Sequence, residues 1–270
     1  GIPAVRPTFK PWVFQQRPGV FSPNGLTQLS PERIPQFSKP ELFLNMTRAE
    51  KIDLIRSRPQ LSVATLSADM GNQNAALQTL KENDVNLLHF DVMDGNIWPN
   101  ITVGSPFVAG LSTDLLKDVH LLINKPKQHI DSFAKAGADL ISFSVEYTAH
   151  IDDTLSRIST HEDILRGVSL NPGTSPSFIK NYLDQIDYVL LLGVGPYSGK
   201  ELFLDDIPAK LKTLLEWKPE LLICIDGGVN KNTIAQIAAM NPHFVVSGSA
   251  IFNNEDPVEN LAFLNNAISA

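Results

Sequence analysis

Cysteine is almost absent from this chain: Cys224 stands alone among 270 residues. No intrachain disulfide can form, so the fold must rest on burial, and a reducing, cytoplasmic setting is the default expectation. Cys224 itself lies in the apolar run Leu221-Leu222-Ile223-Cys224-Ile225 and reads as a small buried hydrophobe. Long hydrophobic runs are also missing. None reaches the ~18 residues of a membrane span, and the N-terminus lacks the continuous apolar stretch of a signal peptide. In a cytoplasmic protein the triplets at Asn45 and Asn100 match the glycosylation pattern only by accident. Nor is there an excess of positive charge: the formal net charge is -7. A nucleic-acid partner is therefore not expected, although local backbone donors can hold a small phosphate whatever the net charge.

What the chain does have is a large apolar complement, 43% hydrophobic against 19% charged. Its length suits one large barrel domain or two ordinary ones, with a core big enough for an internal site. The character changes near residue 60. Before it, prolines are dense (Pro3, Pro7, Pro11, Pro18, Pro23, Pro31, Pro35, Pro40) and no periodic pattern develops. Residues 1–57 thus read as an N-terminal extension, either a flexible leader or an arm packed on the barrel or a neighbouring subunit, where the aromatics Trp12, Phe14, Phe21, Phe37 and Phe43 would find a surface to cover them. One short helix is predicted in it from Arg48 to Arg56, because Thr47 and Glu50 make a T-x-x-E capping box.

Over 58–270 short apolar runs alternate with helical stretches. The runs are LSVATL (61–66), NLLHFDVM (86–93), DVHLLI (118–123), ADLISFSV (138–145), RGVSL (166–170), DYVLLLGV (187–194), LLICIDG (221–227) and FVVSG (244–248). Eight strand signals separated by helices predict βα repeats, and eight parallel strands close a barrel. An open doubly wound sheet is the alternative, but no G-x-G-x-x-G follows the first strand. The fold class is therefore α/β, a (β/α)8 TIM barrel with a Pro-rich N-terminal extension.

Such barrels carry their sites at the C-terminal strand ends, and polar residues concentrate there. His89 and Asp91 are two apart on the second strand, so both turn to one face. His120 on the third strand and Asp226 at the end of the seventh complete a set of two imidazoles and two carboxylates. That set suits zinc or another divalent ion that takes nitrogen and oxygen ligands. Taken singly, each residue is as well explained as a satisfied core histidine or a strand-end aspartate capping a loop. Four at matching depth are harder to explain so, because unpaired polar groups inside are costly. Chemically the set fits inversion of a carbon beside a ketone, which needs an acid/base group on either face and a metal to stabilise the enediolate. Gly227-Gly228 after strand seven and Gly248-Ser249 after strand eight point to a phosphate there, though such pairs also mark ordinary turns.

These residues resemble the ribulose-phosphate 3-epimerase family. The carriers, in order, are LSADM (66–70), LHFDVMDG (88–95), PNITVG (99–104), DVHLLI (118–123), FAKAGADLI (133–141), LNPGTSP (170–176), IDGGVN (225–230) and VSGSAIF (246–252). The resemblance implies that His89, Asp91, His120 and Asp226 are metal ligands and that Asp91 and Asp226 are the acid/base pair. It places Ser67, Met93, Gly199, Gly228, Gly248 and Ser249 at the substrate and its phosphate. It also implies a divalent metal (zinc first, with iron, manganese and cobalt as alternatives), a sugar-phosphate substrate, and a homo-oligomer. The reaction implied exchanges D-ribulose 5-phosphate with D-xylulose 5-phosphate.

The chain departs from the family pattern after strand six. In place of a methionine and a P-G-F-G-G-Q loop stand Leu192 and the stretch Gly193–Phe203, in which only Pro196 and Gly199 persist. Leu122 replaces a second site methionine, and Ser144 stands where a histidine is usual. Leucine keeps the volume of methionine, so the loop is where substrate length, phosphate grip or closure can differ. A related hexulose 6-phosphate epimerase and a catalytically weakened sugar-phosphate binder are the other readings. A decarboxylase or aldol-type barrel is disfavoured by the lack of a D-x-K-x-x-D pattern.

Overall fold

A computed structural model describes residues 46–197, 202–253 and 255–269. The expectations for the arm before residue 46, and for Gly199, Ser198, Lys200 and Glu201, lie outside the described residues. Within them eight parallel strands close into a barrel in sequence order, β1 to β8. The strands are Gln60–Ala64, Leu87–Met93, Leu116–Leu122, Leu140–Ser144, Leu165–Leu170, Tyr188–Leu192, Leu222–Asp226 and Phe244–Ser247. Each falls on one of the eight predicted apolar runs. The helices α1 to α8 span Arg48–Ser57, Gln73–Glu82, Ser105–Gly110, Ile130–Lys135, Ile151–Ser159, Ile207–Trp217, Ile234–Ala238 and Pro257–Ile268, with a 3-10 helix at Pro176–Gln185 between β5 and β6.

The period of two along each strand splits the apolar residues into two cores. Residues of one parity, such as Val63, Phe90, Val119, Ile141, Val168, Val189, Ile223 and Val245, pack outward under the helices. Those of the other parity, including Leu87, Leu116, Leu140, Leu165, Tyr188, Leu222 and Phe244, fill the barrel from inside. A strand buried on both faces reads as a continuous apolar run, which is why the strands were easy to find.

α1 closes the bottom of the barrel. Its predicted capping box is present: Thr47 accepts from the Glu50 N–H, and the Glu50 carboxylate accepts from the Thr47 N–H. Ile55 is fully buried with the interior leucines, and α1 lies in the same compact unit as the barrel. Lys51 reaches Asp139 at 2.9 Å, and Arg48 with Arg166 grips Asp187. Apolar residues fill most of the base, where Gln60 is a buried polar exception whose amide donates to the Leu54 carbonyl of α1.

Candidate active site

At the upper end of the barrel the inward positions of β2, β3 and β7 turn polar. Strand register does the assembly: Asp91 lies opposite His120 across β2 and β3, and His89 opposite Asp118. Asp226 arrives as the last residue of β7. His89 Nε2 is 3.2 Å from Asp91 Oδ1 and 3.8 Å from Asp226 Oδ2. His120 Nδ1 is 3.2 Å and 3.5 Å from the same two oxygens. One ligand atom from each of the four residues lies within 4.8 Å of every other. Both histidines are fully buried, whereas the Asp91 carboxylate keeps 25% of its surface and Asp226 11%.

The electrostatics follow from this crowding. Burial works against a charge on Asp91, but the fields of His89 and His120 and their hydrogen bonds overcome it and hold its pKa below the usual carboxylate range. Asp226 goes the other way, raised by burial and then by the negative charge of Asp91. Burial likewise opposes a charge on His89, yet Asp118 and Asp91 lift its pKa well above the ordinary histidine value. His120 is raised too, with burial outweighed by its bonds to Asp226 and Asp91. The pocket therefore favours positive charge between the carboxylates. Two imidazole nitrogens and two carboxylate oxygens converging in a buried site are a donor set that a divalent cation fits.

Above the tetrad opens a cavity of about 230 Å³, lined by Ser67, Asp91, Asp226, Gly228, Gly248 and Ser249 among others. Six residues singled out from the sequence are thus brought to one place. Ser67 gets there because β1 stops at Ala64 and a 3-10 turn, Thr65–Ser67, carries it over the mouth. The glycines are needed sterically: a Cβ on Gly248 would stand 2.7 Å from the Ala64 carbonyl oxygen. At Gly228 it would meet Leu202 at 2.6 Å, on a backbone with φ of +78°. Met93 continues the inward parity of His89 and Asp91 but borders a neighbouring cleft with Ile101 and Thr102.

Three supporting features were not singled out in the sequence. Thr102 donates to the Asp91 carbonyl and accepts from the Met93 N–H, pinning the end of β2. The described ends of the altered loop rest on the Gly-Gly turn: a Cβ on Gly227 would strike Val194, as one on Gly228 would strike Leu202. Gly193 is tied to β7 through the Asp226 carbonyl. Asp118, bonded to the far side of His89, is the third. Its signal was there, because Asp118 and His120 repeat on β3 the two-residue alternation that marked His89 and Asp91.

The family model for the ribulose-phosphate 3 epimerase family matches residues 60–252. The chain belongs to this family. A ribulose-phosphate 3-epimerase of Bacillus subtilis (strain 168) is 35% identical over 204 residues, covering 73% of this chain and 94% of the relative. The Aquifex aeolicus enzyme of the same name is 36% identical over 202 residues, covering 73% and 90%. The chloroplastic ribulose-5-phosphate-3-epimerase of Arabidopsis thaliana is 34% identical over 220 residues, covering 78% and 76%. As a member of the ribulose-phosphate 3-epimerase family the chain is an epimerase, an isomerase by class. Likeness of fold extends further. A tryptophan synthase structure from Mycobacterium tuberculosis superposes with a TM-score of 0.63 at 16% identity, covering 84% of this chain and 100% of the other. A 3-keto-L-gulonate-6-phosphate decarboxylase from Vibrio cholerae gives 0.60 at 15% identity, covering 78% and 97%. No described helix is long and apolar enough to cross a membrane.

Proposed function

We propose that this epimerase is metal-dependent and inverts C3 of a ketose phosphate, interconverting D-ribulose 5-phosphate and D-xylulose 5-phosphate through an enediolate. The observation that carries the reading is the pair Asp91 and Asp226. They come from well-separated strands, face one cavity, and have pKa values that move in opposite directions. Two carboxylates with diverging pKa values supply one base and one acid.

In one direction Asp91, held ionised by the histidines, takes the C3 proton from one face of the sugar. Asp226 returns a proton to C3 on the other face, and the configuration inverts. In the reverse direction the two exchange roles. His89, Asp91, His120 and Asp226 would hold a divalent metal, zinc first. When bound, it supplies polarisation of the substrate carbonyl and stabilisation of the charge that develops on the enediolate. Gly228, Gly248 and Ser249 offer close backbone approach to the phosphate, and Ser67 a hydroxyl to the sugar. The resemblance adds a homo-oligomer in the cytoplasm to the same reading.

A related hexulose 6-phosphate is the second substrate to try. The test is an assay in deuterium oxide with the metal-loaded protein. Deuterium should enter C3 of the pentulose phosphate as its epimer forms, and a chelator should stop both. Failure to exchange that proton in any pentulose or hexulose phosphate would refute the reading. Turnover that survives complete metal removal would refute its metal dependence.

A further inference from the structure

Beneath the metal-site tetrad the barrel contains a carboxylate that no step above uses. Asp118 is fully buried on β3, in line with the inward-facing His120. A carboxylate in an apolar interior is costly unless its oxygens are hydrogen-bonded. Its Oδ2 accepts from His89 Nδ1 at 2.7 Å and from the Ser62 hydroxyl at 2.9 Å. Its Oδ1 faces the Tyr188 hydroxyl, which donates over a longer 3.4 Å. Three donors from three other strands thus converge on one side chain.

The arrangement needs room that only one residue type leaves. Gly167 on β5 lies opposite Tyr188 in register. A Cβ on Gly167 would fall 2.2 Å from the Tyr188 ring and 2.7 Å from its hydroxyl. Glycine at 167 lets the phenol cross the barrel to Asp118.

We propose that Asp118 is a positioning residue for the metal site: it holds His89 in the ring orientation and tautomer that turn Nε2 toward Asp91 and Asp226, with Ser62 and Tyr188 as its supports. The proposal rests on the metal-dependent reading above. An acceptor at Nδ1 keeps the hydrogen on that nitrogen and leaves the Nε2 lone pair for the metal. The second histidine makes the contrast. His120 Nε2, on the side away from the tetrad, has no hydrogen-bond partner among the described residues. Of the two imidazoles, His89 is the tethered one.

The experiment is a zinc titration of the metal-free full chain by calorimetry, with nitrogen-resolved NMR of the histidine rings in the zinc-loaded protein. Asp118→Asn keeps the shape but brings an amide that can donate to Nδ1 and favour the wrong tautomer. Zinc affinity should fall about 10- to 100-fold, and the buried His89 Nδ1–H signal of the wild type should vanish. If D118N binds zinc like the wild type, or keeps that signal, the proposal is overturned while the metal reading stands. If the wild type binds no zinc, iron, manganese or cobalt, both fall. Should D118N not fold, the pair Ser62→Ala and Tyr188→Phe removes both supports. A loss of about fivefold in affinity, the equivalent of one ordinary hydrogen bond, is then expected, and wild-type affinity overturns the proposal.

Discussion

Asp91 and Asp226 contact the same two histidines, His89 and His120, yet their pKa values move in opposite directions. The asymmetry has a geometric origin. Asp91 is 3.2 Å from both rings, whereas Asp226 is farther from each and feels the charge of Asp91 as well. One carboxylate is stabilised as an anion by neighbours that the other shares less closely.

Replacing either carboxylate with its amide should expose this division of labour. Asp91→Asn and Asp226→Asn each remove one of the two proposed proton carriers, so kcat should drop on the order of 10²- to 10⁴-fold. Metal content must be measured in both, because each side chain also belongs to the donor set. Turnover near the wild-type level with metal retained would remove that residue from the acid/base pair.

Gly248→Ala tests the proposed phosphate cradle. The added methyl would press on the Ala64 carbonyl at 2.7 Å and crowd the Ser67 hydroxyl at 3.1 Å. A shift approaching 1 Å in a substrate-positioning element can cost about 100-fold. The loss should appear mainly in KM, together with weaker competition by inorganic phosphate. An unchanged KM would place the phosphate elsewhere.

Acid sensitivity should trace in part to Asp187 beneath the barrel. Burial would raise its pKa, but Arg48 and Arg166 outweigh burial and depress it. A depressed folded-state pKa contributes stability that is present above the unfolded value of 3.8 and is lost as pH falls through the folded one. Asp187→Asn should therefore flatten the fall in unfolding free energy below about pH 4. At neutral pH it should cost roughly 3 kcal/mol, the low end for breaking a buried pair, since Arg48 can turn to solvent. Denaturant unfolding at several pH values reads both. An unaltered acid limb would refute the assignment.

Ile55→Ala should destabilise the protein by about 2–5 kcal/mol, as expected for truncating a fully buried isoleucine. Thr47→Ala, which removes only the cap of the same helix, should cost about 1 kcal/mol. If Ile55→Ala costs no more than Thr47→Ala in thermal or denaturant unfolding, α1 is not a plug of the barrel base.

Much of this was legible in the sequence. Each strand is buried on both faces and so stands out as a continuous apolar run, with helical patterns and turns between. His89, Asp91, His120 and Asp226 interrupt those runs near the strand ends, where a charged or polar residue needs a reason. The capping box at Thr47 and Glu50 was equally plain, because it is a local interaction within four residues. What escaped notice depends on partners far apart in the chain. Ser62, Asp118 and Tyr188 sit in three different apolar runs, and nothing local says that their side chains meet. The same holds for Val194 and Leu202 against the glycines after β7.

By itself, then, the amino-acid sequence determined the eight strands, the shared face of His89 and Asp91, and the residue types available at the barrel mouth. These follow from periodicity and from the cost of burying polar groups, both of which act over a few residues. Only the tertiary structure decided which nitrogen of each histidine faces the carboxylates, how far apart Asp91 and Asp226 lie, and that Asp118 stands behind His89. Closing the barrel sets those distances, because register between neighbouring strands, not position along any one of them, brings such side chains within reach of one another.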